Sequence, residues 1–409
     1  MGNDFFSSDF FIGNRERLRQ LFTGTAPIVL TANGLLQKGS DEAFQFHQDR
    51  SFWYLAGCDD PEVVLVMDKG KEYLIVPGRE EVREKFDGAV NFDELSHRSG
   101  IKDIYNGKDG WKHLESRIKK VKHVATLAAP PKYVDFWGMY TNPARAELIH
   151  RLKTINSEIE LLDLRQHLSR MRTVKQEPEL QAIQRAVDIT VDTLKEVTRP
   201  TKIMKYAYEY EIEADITRGF RRRGAMGHSF DPVVASGIRS CTLHHITNDG
   251  RLASDEMVVM DVGAAVSHYA SDITRTVSLG DQMSRRQQAV YDGVLEAQEY
   301  AFSLLRPGVL LRDYEHQMET FVGEKLRELG LIKTISSENV RKFFPHATSH
   351  YLGLDAHDAG DYDRPLEPGT VLAVEPGIYV PEEAIGVRIE DDVVITEAGI
   401  KNISGRLPR

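Results

Sequence analysis

The stretch VVMDVGAAVSHYASDITRT, residues 258–276, places two aspartates inside sequence that otherwise favours buried β-structure. A reversal of the chain between Val266 and Ser267 would make Asp261 and Asp272 cross-strand neighbours. Their Cβ atoms would then lie ~5 Å apart. Two ionised carboxylates that close on a buried face repel each other and lose their hydration. The fold must therefore compensate their charge.

Three kinds of compensation suit such a pair: a shared proton, basic side chains or metal ions. The basic alternative is a structural network through Arg275, on the second predicted strand. A second segment, FPHATSHYLGLDAHDAG, favours metal ions because it contains three of the chain's 14 histidines within twelve positions of a Gly- and Asp-rich loop. These histidines are His346, His350 and His357.

Two later segments add more acids. The first, VLAVEPGIYV, supplies Glu375, and the second, GVRIEDDVVIT, supplies Glu390. Alternation along a strand places Glu390 and Asp392 on one face together with Arg388, whereas Asp391 points to the other face. The spacing leaves Glu390 and Asp392 open as alternative metal ligands.

A set of two aspartates, two glutamates and one histidine predicts a site for two divalent cations. Such an oxygen-rich set suits Mn²⁺, with Co²⁺ or Zn²⁺ as alternatives. Two ions ~3.5–4 Å apart can share a hydroxide, which is a strong nucleophile at neutral pH. Metal ions would thus supply the charge that the two buried aspartates lack.

A short internal repeat supports one centre for the four acids. Asp261 is followed two positions later by Gly263, and Glu375 is followed two positions later by Gly377. Each motif comes after a predicted helix pair and before a strand that carries another acid. This pattern predicts a two-fold duplication that brings four carboxylates together.

The length of 409 residues indicates two domains, which we place at 1–172 and 173–409. Between Pro27 and Leu127, strand-like runs such as APIVLTAN, PEVVLVMD and EYLIVPG alternate with helix-like runs. This alternation predicts a mixed α/β domain. Helical periodicity then dominates residues 147–172, apart from the apolar run EIELLDL.

The second domain contains four long amphipathic patterns in two pairs, over residues 177–198, 210–225, 284–308 and 312–330. Strands rich in valine and isoleucine lie between and after these pairs. We therefore expect an α+β fold in which helices cover one face of a largely antiparallel sheet.

Composition excludes several classes of function. The net charge of -10 argues against nucleic acid and anionic membrane as partners. Two cysteines, Cys58 and Cys241, are too few for a disulfide scaffold. No apolar run approaches the ~18 residues of a membrane span, and the N-terminal residues do not resemble a signal peptide. We therefore expect a cytoplasmic protein.

Five segments in this order and spacing resemble the pita-bread metallopeptidases, specifically the aminopeptidase P and prolidase family. The segments are CTLHHITND, MDVGAAVSHYASDITRT, SHYLGLDAHD, VEPGIYV and VRIEDDVVIT. The similarity extends to RMRTVKQEPELQAIQRA and to DRSFWYLAGCDDPEVVLVM, so that it covers nearly the whole chain. It implies a C-terminal pita-bread domain with a pseudo-two-fold axis, preceded by a creatinase-like α/β domain.

The resemblance also implies the roles of individual residues. The metal ligands would be Asp261, Asp272, His350, Glu375 and Glu390, with Asp272 bridging both ions. Glu375 would also accept a proton from the nucleophilic water. His244 would contact substrate, His357 would stabilise the developing oxyanion or the leaving nitrogen, and His346 would line a proline pocket. Tyr379 and Arg388 would support Asp261. His245 occupies a position where relatives often have tyrosine, and its alternative role is that of an exposed loop histidine.

The function that the resemblance implies is hydrolysis of the Xaa-Pro bond at the N-terminus of proline-containing peptides by a homodimer or homotetramer. Such a bond is a tertiary amide without an N–H group, so a dedicated pocket and metal ions suit it. Prolidase, which acts on Xaa-Pro dipeptides only, is the alternative and shares all five ligands. A third alternative is a non-catalytic pita-bread binding module, but such relatives have lost the ligands that this chain keeps.

Overall fold

The computed structural model describes residues 5–128, 130, 134 and 136–409. The chain divides into two compact units, one of which spans Phe6–Met171 while the other takes in Arg172–Arg409. The first four residues of the predicted domain 1–172 lie outside the described residues, and so does the start of the N-terminal stretch that we compared with signal peptides. In the part of the chain that is described, no helix has the length and apolar character needed to cross a bilayer.

The first unit is a mixed α/β domain built on a six-stranded sheet in the order β4-β3-β2-β1-β5-β6. Its strands are β1 (Ile28–Thr31), β2 (Val64–Asp68), β3 (Lys71–Val76), β4 (Asp103–Asn106), β5 (His123–Thr126) and β6 (Glu160–Asp163). Its helices are α1 (Ser8–Leu21), α2 (Arg50–Ala56), α3 (Glu81–Asp87), α4 (Phe92–Ser99), α5 (Gly107–Ile118), α6 (Ala144–Ile155) and α7 (Arg165–Thr173), the last of which crosses into the second unit. The apolar run EIELLDL forms β6, which pairs in parallel with β5.

The second unit combines helices with short antiparallel strands. The helices are α8 (Glu177–Val197), α9 (Pro200–Ile203), α10 (Glu209–Arg222), α11 (Arg285–Leu304), α12 (Leu311–Glu328) and α13 (Ser337–Arg341). The strands are β7 (Gly227–His228), β8 (Val233–Ser236), β9 (Met257–Val262), β10 (Ala264–Val266), β11 (Tyr269–Ala270), β12 (Ile273–Ser278), β13 (Ser349–Tyr351), β14 (Val371–Val374), β15 (Gly377–Val380), β16 (Ile385–Arg388), β17 (Asp391–Thr396) and β18 (Gly399–Asn402).

Capping explains where the long helices begin. Ser284 and Gln287 form a reciprocal capping box at the start of α11. Gln176 and Glu179 do the same at the start of α8, where Pro178 occupies the first turn. Helix α8 packs against α10 and the β10–β12 region, whereas α11 packs against α12 and strands β14–β16. Each predicted helix pair therefore supports its own set of strands.

The acidic hairpin forms, but its predicted register is wrong. Strand β9 pairs with β12 so that Asp261 lies opposite Thr274, and by the same register Asp272 stands opposite Gly263. The chain reverses at Ser267 and His268, whose φ values of 47° and 70° are those of a two-residue hairpin turn. The shift moves Asp272 by two positions along the ladder, so both aspartates remain on one face.

The glycines of the internal repeat are both points of close approach. A Cβ atom at Gly263 would lie 1.8 Å from the backbone oxygen of Ser271, which lies between β11 and β12. A Cβ atom at Gly377 would lie 2.5 Å from the hydroxyl of Tyr379. Each glycine thus lets a neighbouring group pack closely beside an acid of the site.

Candidate metal centre

Five side chains that lie on or next to separate strands converge in the second unit. His350 lies on β13, Asp261 on β9 and Asp272 immediately before β12, while Glu375 follows β14 and Glu390 precedes β17. The Nε2 atom of His350 lies 3.6 Å from an oxygen of Glu375, 3.7 Å from Asp272 and 3.9 Å from Glu390. Donor atoms of Asp272, His350 and Glu390 all lie within 4.8 Å of one another.

The backbone around the acids is fixed by hydrogen bonds. The N–H of Asp272 donates to Asp392 Oδ2 at 3.0 Å. The N–H of Glu390 donates to the carbonyl oxygen of Thr274 at 3.1 Å, and the Thr274 hydroxyl donates to Glu390 Oε2 at 2.6 Å. The site is therefore assembled by contacts between strands that are distant in the sequence.

Burial and mutual repulsion strongly disfavour ionisation of these acids in the absence of cations. Burial and then the neighbouring Glu390 raise the pKa values of Asp272 and Glu375 well above those of ordinary carboxyl groups. Burial and then Asp261 raise the pKa of Glu390 to about 8. Burial lowers the pKa of His350 to about 3, so its imidazole is neutral and able to bind a cation.

The donor set fits divalent metal ions. Asp261 Oδ1 and Asp392 Oδ1 are buried and have no hydrogen-bond partner among the described residues. Buried, unpartnered carboxylate oxygens beside three further acids are costly unless cations neutralise them. Hard oxygen donors with one imidazole are ligands that Mn²⁺ and similar ions accept.

Arg388 connects Asp261 to the predicted proline-pocket histidine. Its Nη2 atom lies 2.6 Å from Asp261 Oδ2, and its Nη1 atom donates to the Tyr379 hydroxyl at 3.0 Å. That hydroxyl lies 2.9 Å from Nε2 of His346, whose Nδ1 lies 2.8 Å from the carbonyl oxygen of Ala347. Burial lowers the pKa of His346 to about 3. The neutral ring therefore accepts from Tyr379 and donates to Ala347, which fixes its orientation.

Arg275 does not compensate the two hairpin aspartates. Its guanidinium pairs with Asp391 at 2.8 Å, and the Ser404 hydroxyl donates to the same oxygen of Asp391 at 2.6 Å. Asp391 thus points away from the site, as the strand alternation predicts. The predicted alternative network through Arg275 exists, but its acid is Asp391 rather than Asp261 or Asp272.

The other predicted histidines lie at the edge of the centre. The ring of His357 stacks on that of His350, with 4.0 Å between ring centroids and 22° between planes. His244 is exposed, and so is His357. Solvent therefore reaches the predicted substrate histidines His244 and His357, whereas the predicted ligand His350 is buried.

His245 is not an exposed loop histidine, because it binds back to the protein. Its Nε2 atom lies 3.1 Å from Glu209, and its side chain is 12% exposed. Glu209 also accepts hydrogen bonds from Ser236, Arg239 and the N–H of Gly250. Both Glu209 oxygens therefore accept hydrogen bonds, and His245 ties the loop of His244 to α10.

Sequence reasoning missed two polar residues around the ligands, Thr274 and Glu315. Thr274 follows Asp272 at the spacing of one strand face, a signal that alternation could have supplied. Asp392, which strand alternation left open as a ligand, accepts from the N–H of Asp272 through Oδ2. Glu315, on α12, accepts from the N–H groups of Thr348 and Ser349 beside His350, and no local pattern links it to them.

Comparisons with known proteins identify the family. Residues 181–397 match the model of metallopeptidase family M24, and residues 11–125 match the N-terminal domain of aminopeptidase P. The chain is 32% identical over 417 residues to human Xaa-Pro aminopeptidase 3, covering 93% of this chain and 78% of that protein. The chain belongs to the aminopeptidase P family. It is therefore a metallo-exopeptidase, a hydrolase that depends on divalent metal ions.

Further members of the aminopeptidase P family match over almost their full length. The Xaa-Pro aminopeptidase of Haemophilus influenzae is 31% identical over 422 residues, covering 96% of this chain and 94% of that protein. The structure of aminopeptidase P from E. coli superposes with a TM-score of 0.85 at 28% identity, covering 99% of this chain and 96% of that chain. These matches confirm the predicted family and the predicted two-domain fold.

Proposed function

We propose that the protein is an Xaa-Pro aminopeptidase that uses two divalent ions, with Mn²⁺ the most suitable and Co²⁺ or Zn²⁺ as alternatives. The observation that carries this proposal is the convergence of four acids and one neutral imidazole in one buried place. Their ligand roles follow the family resemblance: Asp261, Asp272, His350, Glu375 and Glu390 would hold the ions. Such ions polarise the scissile carbonyl group and supply hydroxide at neutral pH.

The side chains around the ligands would handle the substrate. Glu375 would accept the proton of the nucleophilic water, a role that the family resemblance implies for this carboxylate. His244, which is exposed, would contact the peptide. His357 would donate to the developing oxyanion or to the leaving nitrogen, from its position against His350.

His346 would line the pocket for the proline ring. Its orientation is set by Tyr379 and Ala347 on either side of the imidazole, so that it presents a fixed and neutral face. Tyr379 and Arg388 would support this histidine and Asp261 as one connected unit. This arrangement suits an apolar ring whose nitrogen has no hydrogen to donate.

Prolidase activity, limited to dipeptides, is the alternative with the same ligands. Aminopeptidase P is favoured because the relatives reported above are named Xaa-Pro aminopeptidases and because residues 11–125 match the N-terminal domain of that enzyme. We also propose a cytoplasmic location and a homodimer or homotetramer, whose mass light scattering would measure.

The test compares three peptides with Mn²⁺: an Xaa-Pro dipeptide, the matching Xaa-Pro-Xaa tripeptide, and a tripeptide with alanine in place of proline. The proline tripeptide should have a kcat/KM at least equal to that of the dipeptide, because the additional residue adds binding without a clash. The alanine peptide should be a far poorer substrate. Cleavage of the dipeptide alone would leave prolidase, and equal rates with alanine would reject proline specificity.

A further inference from the structure

The linker segment RMRTVK, residues 170–175, carries two cations that are buried in the second unit. The side chains of Arg172 and Lys175 are 4% and 1% exposed. Both contact the carboxylate of Asp358, which is itself 1% exposed, and Lys175 Nζ lies 3.0 Å from one of its oxygens. Arg172 also reaches Asp355 at 2.8 Å. Arg172, Lys175 and Asp358 thus form one buried cluster, and the half-exposed Asp355 lies at its edge.

This cluster brackets His357. Asp355 and Asp358 stand two positions before and one position after this histidine, so the cations hold the chain on both sides of it. The loop is closed by the N–H of Asp358, which donates to the carbonyl oxygen of Tyr351 at 2.8 Å. The His357 ring can then stack on the predicted ligand His350.

The space around the cluster is filled. A Cβ atom at Gly353 would lie 2.2 Å from an Asp358 oxygen and 2.8 Å from Cε of Lys175. The ammonium group of Lys175 also donates to the backbone oxygen of Arg172 at 2.6 Å. These contacts leave the Asp358 carboxylate little freedom, and they bind it to the linker rather than to the centre.

A buried ion pair is weak evidence for stability, because replacing it with apolar residues of similar size often leaves a protein equally stable or more stable. Its geometry nevertheless orients the groups attached to it, and a displacement of ~1 Å at a reacting group can cost ~10²-fold in rate. We propose that Lys175 and Arg172 are positioning residues that act through Asp358 to place His357 for the reaction. This inference rests on the role of His357 in the proposed function.

The test is a double-mutant cycle between Lys175→Met and His357→Ala, measured on the proline tripeptide with Mn²⁺. His357→Ala should lower kcat by ~10²-fold, the effect of losing one stabilising group. Lys175→Met should lower kcat by ~10-fold or more while KM changes less than about three-fold. In the His357→Ala background, Lys175→Met should have almost no further effect on kcat.

Arg15→Met is the matched control. Arg15 is also a fully buried cation in an ion pair, with Glu72 at 2.9 Å, but it belongs to the first unit. This variant should lower the melting temperature and leave kcat unchanged. If Lys175→Met does not fold, Asp358→Asn replaces it in the cycle, because this substitution removes the charge at nearly constant volume.

The possible outcomes distinguish the positioning role of Lys175 from the role of His357 itself. An equal loss of kcat from Lys175→Met in both backgrounds would overturn the positioning inference and leave the role of His357 intact. Near-normal kcat in His357→Ala alone would instead reject the proposed role of His357, and the inference would fall with it. A loss limited to melting temperature, as in Arg15→Met, would assign the cluster to stability only.

Discussion

Nη2 of Arg388 lies 2.6 Å from Oδ2 of Asp261, whereas Oδ1 of the same carboxylate is buried without a hydrogen-bond partner among the described residues. One oxygen of this aspartate is therefore neutralised by the protein, and the other is available to a cation. This division fixes the direction in which Asp261 presents its free oxygen. The same guanidinium holds the Tyr379 hydroxyl, so it supports the pocket histidine as well.

Replacement of Arg388 should affect metal binding and turnover together. Arg388→Met leaves the Asp261 carboxylate without its cationic partner. Removal of one member of a buried ion pair typically lowers the free energy of unfolding by about 3–5 kcal/mol. We expect kcat to fall by ~10²-fold or more and metal affinity to change. Arg388→Lys keeps the charge but loses the planar fork, so it should recover only part of the activity. Steady-state kinetics would measure the change in kcat, and a metal titration would measure the change in affinity. Full activity in Arg388→Met would show that Arg388 does not support Asp261.

Removal of metal should abolish activity. Four acids with one imidazole offer donors for two ions, so a chelator should inactivate the enzyme and Mn²⁺ should restore it best. Elemental analysis of the restored enzyme should find two ions per chain. An active enzyme without metal would exclude the proposed chemistry, and a single ion at full activity would exclude a dinuclear site.

Asp272→Ala should remove activity and leave the fold intact. Asp272 lies against both His350 and Glu390, where a bridging ligand would stand. Burial and the neighbouring acids raise the pKa of Asp272, so its charged form does not stabilise the metal-free chain, and we expect the fold to tolerate its loss. Circular dichroism should match that of the unmodified protein while turnover is lost. Near-normal turnover would show that Asp272 is not a ligand.

Thr274 should tune metal affinity through Glu390. Its hydroxyl donates to Glu390 at 2.6 Å, and loss of such an outer hydrogen bond typically weakens metal binding ~10–100-fold. Thr274→Val removes the hydroxyl at constant volume and should show this loss in a metal titration. Thr370→Val is the control, because the buried Thr370 hydroxyl has no hydrogen-bond partner among the described residues. Equal effects from both variants would refute a specific role for Thr274.

The stability of the metal-free protein should fall as pH rises from about 6.5 to 8. An acid whose pKa is raised in the folded state stabilises the fold while it is protonated. This contribution to stability is lost as pH rises through the folded-state pKa, which is about 8 for Glu390. His346 and His350, whose pKa values are lowered in the folded state, make stability rise with pH instead. Their effect is confined to pH values below 6.5, the ordinary pKa of histidine.

The free energy of unfolding in chelator should therefore fall by about 1–2 kcal/mol over this range. Thermal melts should show this loss as a melting temperature that drops by a few degrees. Metal ions should abolish the drop, because they favour the ionised acids. Glu390→Gln removes one titrating group and should reduce the slope in chelator. A melting temperature that rises with pH in the metal-free protein would contradict the burial of these acids.

Much of the site follows from local sequence patterns. The two aspartates remain on one face although the register differs by two residues, because side chains alternate with a period of two. The register itself depends on Ser267 and His268, which adopt positive φ without the Asn-Gly signal typical of such turns. Alternation likewise separates Asp391 from Asp392 correctly, but it does not say what Asp392 binds.

The remaining contacts depend on how distant segments pack. Lys175 meets Asp358 across 183 positions, and Arg388 meets Asp261 across 127, so no periodicity links them. Likewise, His245 binds Glu209, 36 positions earlier, instead of facing solvent. The sequence specifies which residue types are present and which face of a strand or helix they occupy, because both depend on short-range geometry. Partners, pKa shifts and the position of His357 arise only when the fold buries charges from separate strands in one place.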